Sequence, residues 1–132
     1  MAALPVDGFI LVDPNIQNYH LKGLLETPLK AQLAQALTVG RVHISVITRM
    51  EMLAWRGHTE TSMAQTQALL ALMPEFGLTE DVVQGAIRIR REFGLKLPDA
   101  VIAATAMTGN QTLLTGNGAD FGRVHGLQLN LI

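Results

Sequence analysis

The segment GLKLPDAVIAATA, residues 94–106, decides the fold that the rest of the chain must accommodate. Its second half, residues 100–106, is small or apolar on every side apart from one threonine, which predicts a helix buried on all faces. Pro98 suits the first position of such a helix, because its missing N–H would have no partner there. Asp99 then falls in the first turn, where the helix dipole favours a negative charge. This carboxylate either satisfies the dipole or belongs to a functional site.

Composition limits the classes of protein to which the chain can belong. Its 132 residues suffice for one domain, and with 48% apolar and 16% charged residues either the core is large or a partner covers apolar surface. A net charge of −1 excludes the positive field that sequence-independent duplex binding requires. The absence of cysteine excludes disulfides and thiolate chemistry. We expect a cytoplasmic protein, since no apolar run has membrane-spanning length and the first residues lack a secretory signal pattern.

Short apolar runs alternate with helical segments along the chain. Runs bounded by turn residues are typical of central parallel strands, and the alternation predicts an α/β fold with a mainly parallel central sheet flanked by helices. The sheet is expected to have four to five strands. They are predicted at residues 9–12, 42–45 and 112–115, with a brief strand or connector at 76–79 and an edge strand at 127–129.

Helix starts are marked by capping residues and prolines. Pro14 is predicted to open the first helix, and Thr27, which precedes a proline, to cap the second. Ser62 with Gln65 forms a plausible capping box for a later helix, but Thr59 is a competing start. The pattern does not distinguish between these two starts.

Four carboxylates are predicted to meet at the carboxyl ends of the strands, where parallel sheets bind their ligands. Asp13 follows the first strand, Asp99 begins the helix that leads into the fourth strand, and Asp120 follows that strand. Glu51 lies in the helix after the second strand, among apolar neighbours, and a buried carboxylate needs a partner. Carboxylates in one cleft repel one another unless a cation neutralises them. All-oxygen ligands favour Mg²⁺ or Mn²⁺.

The basic and imidazole side chains give a weaker signal. Arg88, Arg90 and Arg91 form a basic cluster, which is explained either by the negative end of a helix dipole or by a phosphate-facing patch. The histidines do not have zinc-ligand spacing, and each is interpreted as structural or exposed. They are His20, His43, His58 and His125.

The ordered set of motifs resembles the PIN domain, specifically the VapC-type toxin ribonucleases of bacterial toxin–antitoxin pairs. The resemblance extends over nearly the whole chain and implies one PIN-like three-layer sandwich over residues 1–132, with residues 1–8 as an N-terminal extension. The matching segments are LVDxNI at 11–16, YHLKG at 19–23, ISVITxxExL at 44–53, RR at 90–91, LPDA at 97–100, IAATA at 102–106 and TLLTxNxxDF at 112–121.

The resemblance implies a metal-dependent RNA endonuclease and assigns a role to each acid. Asp13 and Asp99 would be the main direct ligands of Mg²⁺ or Mn²⁺. Glu51 and Asp120 would bind directly, through water, or at a second metal. Asn117 would orient a ligand or a phosphate. The cation would lower the pKa of a water that attacks the phosphodiester.

The resemblance also implies partners. Such toxins are usually homodimers that are kept inactive by a VapB-like antitoxin, a segment of which covers the cleft. Covering of the cleft would suit the low surface charge. The RNA substrate would be contacted along its backbone by basic residues. The candidates are Arg88, Arg90, Arg91 and Lys96.

The chain departs from the family pattern around the first acid. Pro14 replaces the usual Thr or Ser, so the hydroxyl that helps to hold the metal site is missing at that position. Gln17 and Asn18 replace apolar residues, and Gly116 stands where Arg is common. Two hypotheses follow. Either the chain is an active ribonuclease, or it is a catalytically weakened PIN-domain protein that binds antitoxin or RNA without turnover.

A third hypothesis is a phospho-acceptor domain, receiver-like or haloacid-dehalogenase-like, that uses Asp13. Such proteins need a second acid next to the acceptor, two residues beyond it, or in an acidic pair before it. Val12 and Asn15 do not supply that acid. The sequence therefore disfavours this hypothesis, which is supported only by analogy between folds.

Overall fold

A computed structural model describes residues 4–5, 7–21, 23 and 25–132, with the side chains of residues 20 and 21 outside the description. Lys22 of the YHLKG motif and residues 1–3 and 6 of the predicted N-terminal extension lie outside it as well. Among the described residues, five short strands form one sheet. They are β1 (Ile10–Val12), β2 (Val42–Ser45), β3 (Glu75–Phe76), β4 (Thr112–Thr115) and β5 (Leu129–Leu131).

Helices connect the strands and cover both faces of the sheet. They are α1 (Ile16–Leu21), α2 (Thr27–Thr38), α3 (Val46–Leu53), α4 (Glu60–Ala71), α5 (Glu80–Phe93), α6 (Leu97–Thr108) and the short α7 (Gly118–Phe121). In the described part of the chain no helix is both long and apolar enough to cross a membrane.

The sheet is entirely parallel, with the strand order β3-β2-β1-β4-β5. Ile10 is in register with Val42 on one side and with Thr112 on the other, so the carboxyl ends of β1, β2 and β4 meet at the same edge. This register places the residues after Val12 and Thr115 next to each other. The predicted α/β fold with a central parallel sheet between helices is confirmed.

Alternate residues of β1 point into two separate cores. Leu11 packs in a cluster with α5 and α6, whereas Ile10 and Val12 pack in a cluster with α1 and α2. All three side chains are at most 1% exposed. A strand that is covered on both faces requires an unbroken apolar run, which is the pattern that predicted it.

The predicted all-round burial of α6 is confirmed. Every residue from Ala100 to Ala106 is buried. Helix α5 packs closely on α6, and a β-carbon added to Gly85 would lie 3.2 Å from the Ala104 β-carbon. Leu97 begins the helix, so Pro98 is its second residue rather than the predicted first, and Asp99 lies in the first turn.

The structure moves several predicted element boundaries. Helix α1 begins at Ile16 rather than at Pro14. Pro14 and Asn15 form a turn, in which the Ile16 N–H donates to the Asp13 carbonyl at 3.2 Å and the Asn15 N–H donates to the Asp13 carboxylate at 2.7 Å. Thr27 is the first residue of α2, whose N-cap is Glu26. β5 begins at Leu129, two residues after the predicted start of the edge strand at residue 127, and ends at Leu131.

The start of α4 is decided in favour of Thr59. Its hydroxyl accepts a hydrogen bond from the Ser62 N–H at 3.0 Å, and the Ser62 hydroxyl accepts one from the Thr59 N–H at 2.8 Å. Ser62 is therefore the reciprocal partner in a capping box rather than the cap. The alternative capping box of Ser62 with Gln65 is wrong.

Candidate active site

Repulsion links the four predicted carboxylates through Asp99 at the carboxyl edge of the sheet. Repulsion from Asp99 and Asp13 contributes to the raised pKa of Glu51, and repulsion from Asp120 and Asp13 contributes to the raised pKa of Asp99. These acids come from four separate segments of the chain: the ends of β1 and β4, helix α3 and the start of α6. The strand register and the buried α6 bring them to one side of the molecule.

Asp13 is the most enclosed of the four, with 2% of its surface exposed. One carboxylate oxygen, Oδ2, accepts hydrogen bonds from the Tyr19 hydroxyl at 2.9 Å and the Thr115 hydroxyl at 2.5 Å. The other, Oδ1, accepts from the Asn15 N–H. Burial raises the pKa of Asp13, and these hydrogen bonds, together with the Gly116 N–H, oppose the rise. Burial is the larger effect, so the ionised form costs free energy in the absence of a cation.

Asp99 and Glu51 are less enclosed than Asp13. Partial burial is the main cause of the raised pKa of Asp99, and the Lys96 cation opposes the rise. Glu51 lies on the exposed surface of α3, which corrects the expectation of a buried carboxylate in need of a partner. Met52, its neighbour, takes the buried position on that helix. Even so, local desolvation is the main cause of the raised pKa of Glu51.

Asp120 differs from the other three acids because the chain itself stabilises its charge. Asn117 caps α7 by accepting from the Asp120 N–H at 3.1 Å, and its amide donates to the Asp120 carboxylate at 3.0 Å. Arg123 forms an ion pair with the same carboxylate at 3.0 Å. The hydrogen bond from Asn117 is the main cause of the lowered pKa of Asp120, and Arg123 and Lys96 lower it further.

Of the predicted basic residues, Lys96 lies nearest to the acids. Its charge acts on both Asp99 and Asp120. Arg88 and Arg91 are exposed on α5, and neither is among the groups that shift the pKa of the four acids. Arg90 instead donates to the Leu95 carbonyl at 2.9 Å and so stabilises the turn before α6.

Three side chains that the sequence analysis did not assign to the site contact the acids: Thr115, whose hydroxyl donates to Asp13, Tyr19 and Arg123. Tyr19, in the quoted YHLKG motif, donates to Asp13 from one turn into α1. Arg123 pairs with Asp120 from just beyond α7. The spacing of six residues between Asp13 and Tyr19 gave no signal by itself, because it specifies a contact only once the turn at Pro14 is known.

A cavity of about 880 Å³ adjoins one of the acids, Glu51. Pro14 and Glu51 lie on its wall, so it opens next to the candidate site, and its lining includes the apolar Leu33 and Leu69. Trp55, 61% exposed, also lines it. Gln17, where the resemblance predicts an apolar residue, accepts a hydrogen bond at 3.3 Å from the buried Thr66 of α4 and so links two walls of the cavity.

The donor set fits a divalent cation in its chemistry. Nearby carboxylates with raised pKa values are relieved by a positive charge, and oxygen ligands suit Mg²⁺ or Mn²⁺. In the described part of the chain no three His, Cys, Asp or Glu side chains are already close enough to hold a metal together. Mg²⁺ does not require such a cage, because it usually keeps several waters and binds through one or two carboxylates.

Several solved structures similar to this chain are of toxin–antitoxin or VapBC proteins. A chain of a toxin–antitoxin complex from Klebsiella pneumoniae is 30% identical, with a TM-score of 0.69 over 89% of this chain and 94% of that one. A chain of DNA-bound VapBC from Salmonella typhimurium is 18% identical, with a TM-score of 0.79 over 94% and 98%. A chain of VapBC-1 from nontypeable Haemophilus influenzae is 23% identical, with a TM-score of 0.77 over 93% and 97%. No curated protein matches the chain.

The family model of the PIN domain matches residues 10–127, which include the first four of the five strands. This range begins with β1 and includes each of the four acids. The resemblance to the PIN domain inferred from the ordered motifs is thereby confirmed, and the fold agrees with that of chains from VapBC structures. The chain belongs to the PIN domain family.

Proposed function

We propose that this protein is a metal-dependent endoribonuclease toxin that hydrolyses RNA phosphodiester bonds. The observation that carries the proposal is the group of mutually repelling carboxylates at the carboxyl edge of the sheet, with Asp13 buried among them and its pKa raised. Charges that repel one another in the folded chain destabilise it, which is typical of functional sites. Membership of the PIN family and the likeness to chains from toxin–antitoxin complexes support the same activity.

In this proposal Asp13 and Asp99 hold Mg²⁺ or Mn²⁺. Glu51 and Asp120 bind the same cation, a water on it, or a second cation. The bound cation supplies a water of lowered pKa and positive charge for the phosphate. Asn117 positions Asp120, as its two hydrogen bonds to that residue indicate, instead of facing a phosphate on its own.

The basic residues extend the proposed site toward the RNA. Lys96, whose charge acts on Asp99 and Asp120, lies where it would contact a phosphate next to the cation. Arg88 and Arg91, on the exposed side of α5, would contact the RNA backbone farther from the reacting bond. Their contribution would be electrostatic and would weaken as salt increases.

The activity is tested by cleavage of structured RNA with Mg²⁺ or Mn²⁺ in the native sequence and in Asp99→Asn. We expect a loss of about a hundredfold or more, because the amide cannot supply the anionic ligand. Asp81→Asn, on the exposed first turn of α5, is the matched control and should cut normally. Equal cleavage by the native chain and Asp99→Asn would show that the carboxylates have been assigned wrongly.

The proposed partner is a VapB-like antitoxin, a segment of which occupies the cavity beside the acids. Similar chains were solved in toxin–antitoxin complexes, and the apolar part of the cavity lining suits an amphipathic segment. Trp55 is the only tryptophan and lines this cavity, so its fluorescence reports on occupation. A blue shift on adding the cognate antitoxin is expected. An unchanged spectrum in a complex that forms would place the antitoxin elsewhere.

We propose that the toxin forms a homodimer. The support is a charged fraction of only 16% together with large apolar side chains on the surface, such as Val39 at 63% exposed and Leu72 at 58%. Sedimentation of the isolated chain is expected to give twice the mass of 14.3 kDa. A single monomeric species at micromolar concentration would contradict the dimer.

Pro14 is the observation that favours the second candidate, a protein that binds antitoxin or RNA without turnover. It supplies no hydroxyl beside Asp13, and it lies in a turn rather than in α1. If the centre is weakened for this reason, Pro14→Thr should gain cleavage activity. A fully active native chain that gains nothing from Pro14→Thr would eliminate this candidate.

A further inference from the structure

The Asp13 carboxylate is hydrogen-bonded by two hydroxyls although the residue after it has none. Both donate to Oδ2, one from Tyr19 on α1 and one from Thr115 at the end of β4. Asp13 is buried, so a carboxylate that lost one of these donors would not recover it fully from bulk water. The two donors come from outside the turn at Pro14, one from six residues and the other from 102 residues along the chain.

Backbone N–H groups orient both hydroxyls. The Gly116 N–H donates to the Tyr19 oxygen at 3.1 Å, and the Asn117 N–H donates to the Thr115 oxygen at 3.0 Å. A hydroxyl that accepts a backbone hydrogen bond and contacts a carboxylate directs its own hydrogen to the carboxylate. The loop after β4 thus determines the direction of both hydrogen bonds to Asp13.

Gly116 provides the space in which the Tyr19 ring lies. A β-carbon at this position would lie 3.0 Å from two ring carbons of Tyr19 and 3.1 Å from its oxygen, closer than ordinary van der Waals contact. Gly116 is not among the residues with a positive φ, so backbone conformation does not explain the glycine. A larger residue here, such as the arginine expected from the family pattern, would displace the tyrosine.

We propose that Tyr19 is a positioning residue that orients Asp13 for the cation, that Gly116 is required for this role, and that the pair supplies the contact that Pro14 does not. The proposal depends on the proposed function, since it assumes that Asp13 is a metal ligand. Tyr19 acts through Asp13 and does not bind the cation. Residues that orient a metal ligand typically change metal affinity by about 10- to 100-fold when they are mutated.

The test measures Mn²⁺ affinity by electron paramagnetic resonance of free Mn²⁺, with no RNA present. Tyr19→Phe removes only the hydroxyl, and we expect Mn²⁺ binding about tenfold weaker with little change in the circular dichroism spectrum. Gly116→Ala should weaken binding to a similar degree. Because both changes disrupt the same hydrogen bond, the double variant should be little weaker than the worse single variant.

Two matched variants control for general effects of substitution. Gly77→Ala adds a methyl group where no atom lies within 4 Å and the backbone φ is not positive. Thr38→Val removes a hydroxyl whose hydrogen bond goes to the exposed Ala34 carbonyl of its own helix. Both should bind Mn²⁺ as the native chain does. If thermal melting shows that Tyr19→Phe is unfolded, Gly116→Ala alone decides the outcome, since it keeps the phenol and moves it.

Replacement of the missing hydroxyl tests the compensation. In the Tyr19→Phe background, Pro14→Thr should recover most of the lost Mn²⁺ affinity, which a purely structural role of Tyr19 would not produce. Failure of this rescue would overturn the compensation between Tyr19 and residue 14. Mn²⁺ binding by Tyr19→Phe equal to that of the native chain would overturn the positioning role alone. A native chain that binds no Mn²⁺ would overturn the proposed function itself.

Discussion

The two ends of the parallel sheet contain different kinds of polar side chain: an imidazole packed between aromatic rings at one end and carboxylates that repel one another at the other. At the amino end, His43 stacks on Phe9 at 4.6 Å and packs against Phe76 at 4.9 Å between ring centroids. Its ring nitrogens lie 3.1 Å from the Gln111 side-chain oxygen and 3.2 Å from the Gly40 carbonyl. This imidazole is enclosed by aromatic and polar partners that come from the chain itself.

At the carboxyl end the polar groups are carboxylates of differing exposure that repel one another. Repulsion contributes to the raised pKa values of Glu51 and Asp99, and Asp13 is buried beside them. The aromatic packing of His43 therefore adds to stability, although the Gln111 amide nitrogen beside it is buried with no hydrogen-bond partner among the described residues. The carboxyl end reduces stability until a cation binds. Function is expected at the end where the chain leaves charges uncompensated.

The largest expected effect is a loss of stability when His43, at the amino end of the sheet, is replaced. His43→Ala removes a ring from between two aromatic side chains, and we expect it to lower the free energy of unfolding by about 3 kcal/mol. Urea denaturation measures this change in the free energy of unfolding. The Mn²⁺ affinity is measured separately, under conditions in which the variant is folded. His125→Ala, at an exposed position beside Phe93, is the control and should cost much less. A loss below about 1 kcal/mol for His43→Ala would contradict a stabilising role of the amino end.

An intermediate effect concerns pH. A carboxyl whose folded pKa lies above its ordinary value, 3.8 for Asp13 and Asp99 and 4.5 for Glu51, binds its proton more tightly in the folded state. Stability is therefore lost as the pH rises from the ordinary value through the raised one. We expect the melting temperature of the metal-free chain to rise by a few degrees as the pH falls from neutral toward the ordinary pKa values of these carboxyls.

Two measurements sharpen this prediction. Saturating Mn²⁺ should flatten the profile, because the cation relieves the same repulsion. Asp99→Asn should also flatten it and should stabilise the metal-free chain at neutral pH by about 0.5 kcal/mol, after allowance for solvent screening of this half-exposed group. Asp120 acts in the opposite direction, because its pKa is lowered. Its stabilising contribution is present above its ordinary pKa and is lost as the pH falls through the lowered one. A melting temperature that falls steadily with acidification would contradict the contrast between the two ends.

The smallest expected effect is at the periphery of the carboxyl end. Arg123→Ala removes an exposed ion pair with Asp120, so the free energy of unfolding should change little. The pKa of Asp120 should rise, because one of the charges that lower it is lost, while Asn117 still donates its hydrogen bond. Carboxyl titration followed by nuclear magnetic resonance measures the shift. A large loss of stability would mean that the Arg123 pair is structural.

Much of the fold was predictable because the relevant signals are local. The apolar runs of β1, β2 and β4 and the all-round apolar pattern of α6 each identify an element that is buried on every side. Which face of α5 is buried was less clear. Ile87 and Ile89 are equally apolar, yet Ile87 is 44% exposed and Ile89 is completely buried. That choice depends on the rotation of α5 against α6, which the sequence of α5 does not contain.

The acids of the candidate site were predictable from the sequence, but their exposure, hydrogen bonds and ion pairs were not. Chain order and the end of each strand placed Asp13, Asp99 and Asp120 at one edge. Their roles as ligands, together with that of Glu51, remain predictions. The exposure of Glu51, the hydroxyl of Tyr19 on Asp13 and the pairing of Asp120 all required the coordinates.

The sequence by itself determined the α/β fold and the chain order of the acids, because burial periodicity and turn residues act over a few neighbouring positions. Only the tertiary structure decided the burial, the hydrogen bonds and the neighbouring charges of each carboxylate. Asp13 receives the Thr115 hydroxyl from 102 residues away, and the same loop leaves a space at Gly116 for the Tyr19 ring. Desolvation, repulsion and hydrogen bonding at a carboxylate depend on groups close in space, whatever their separation along the chain.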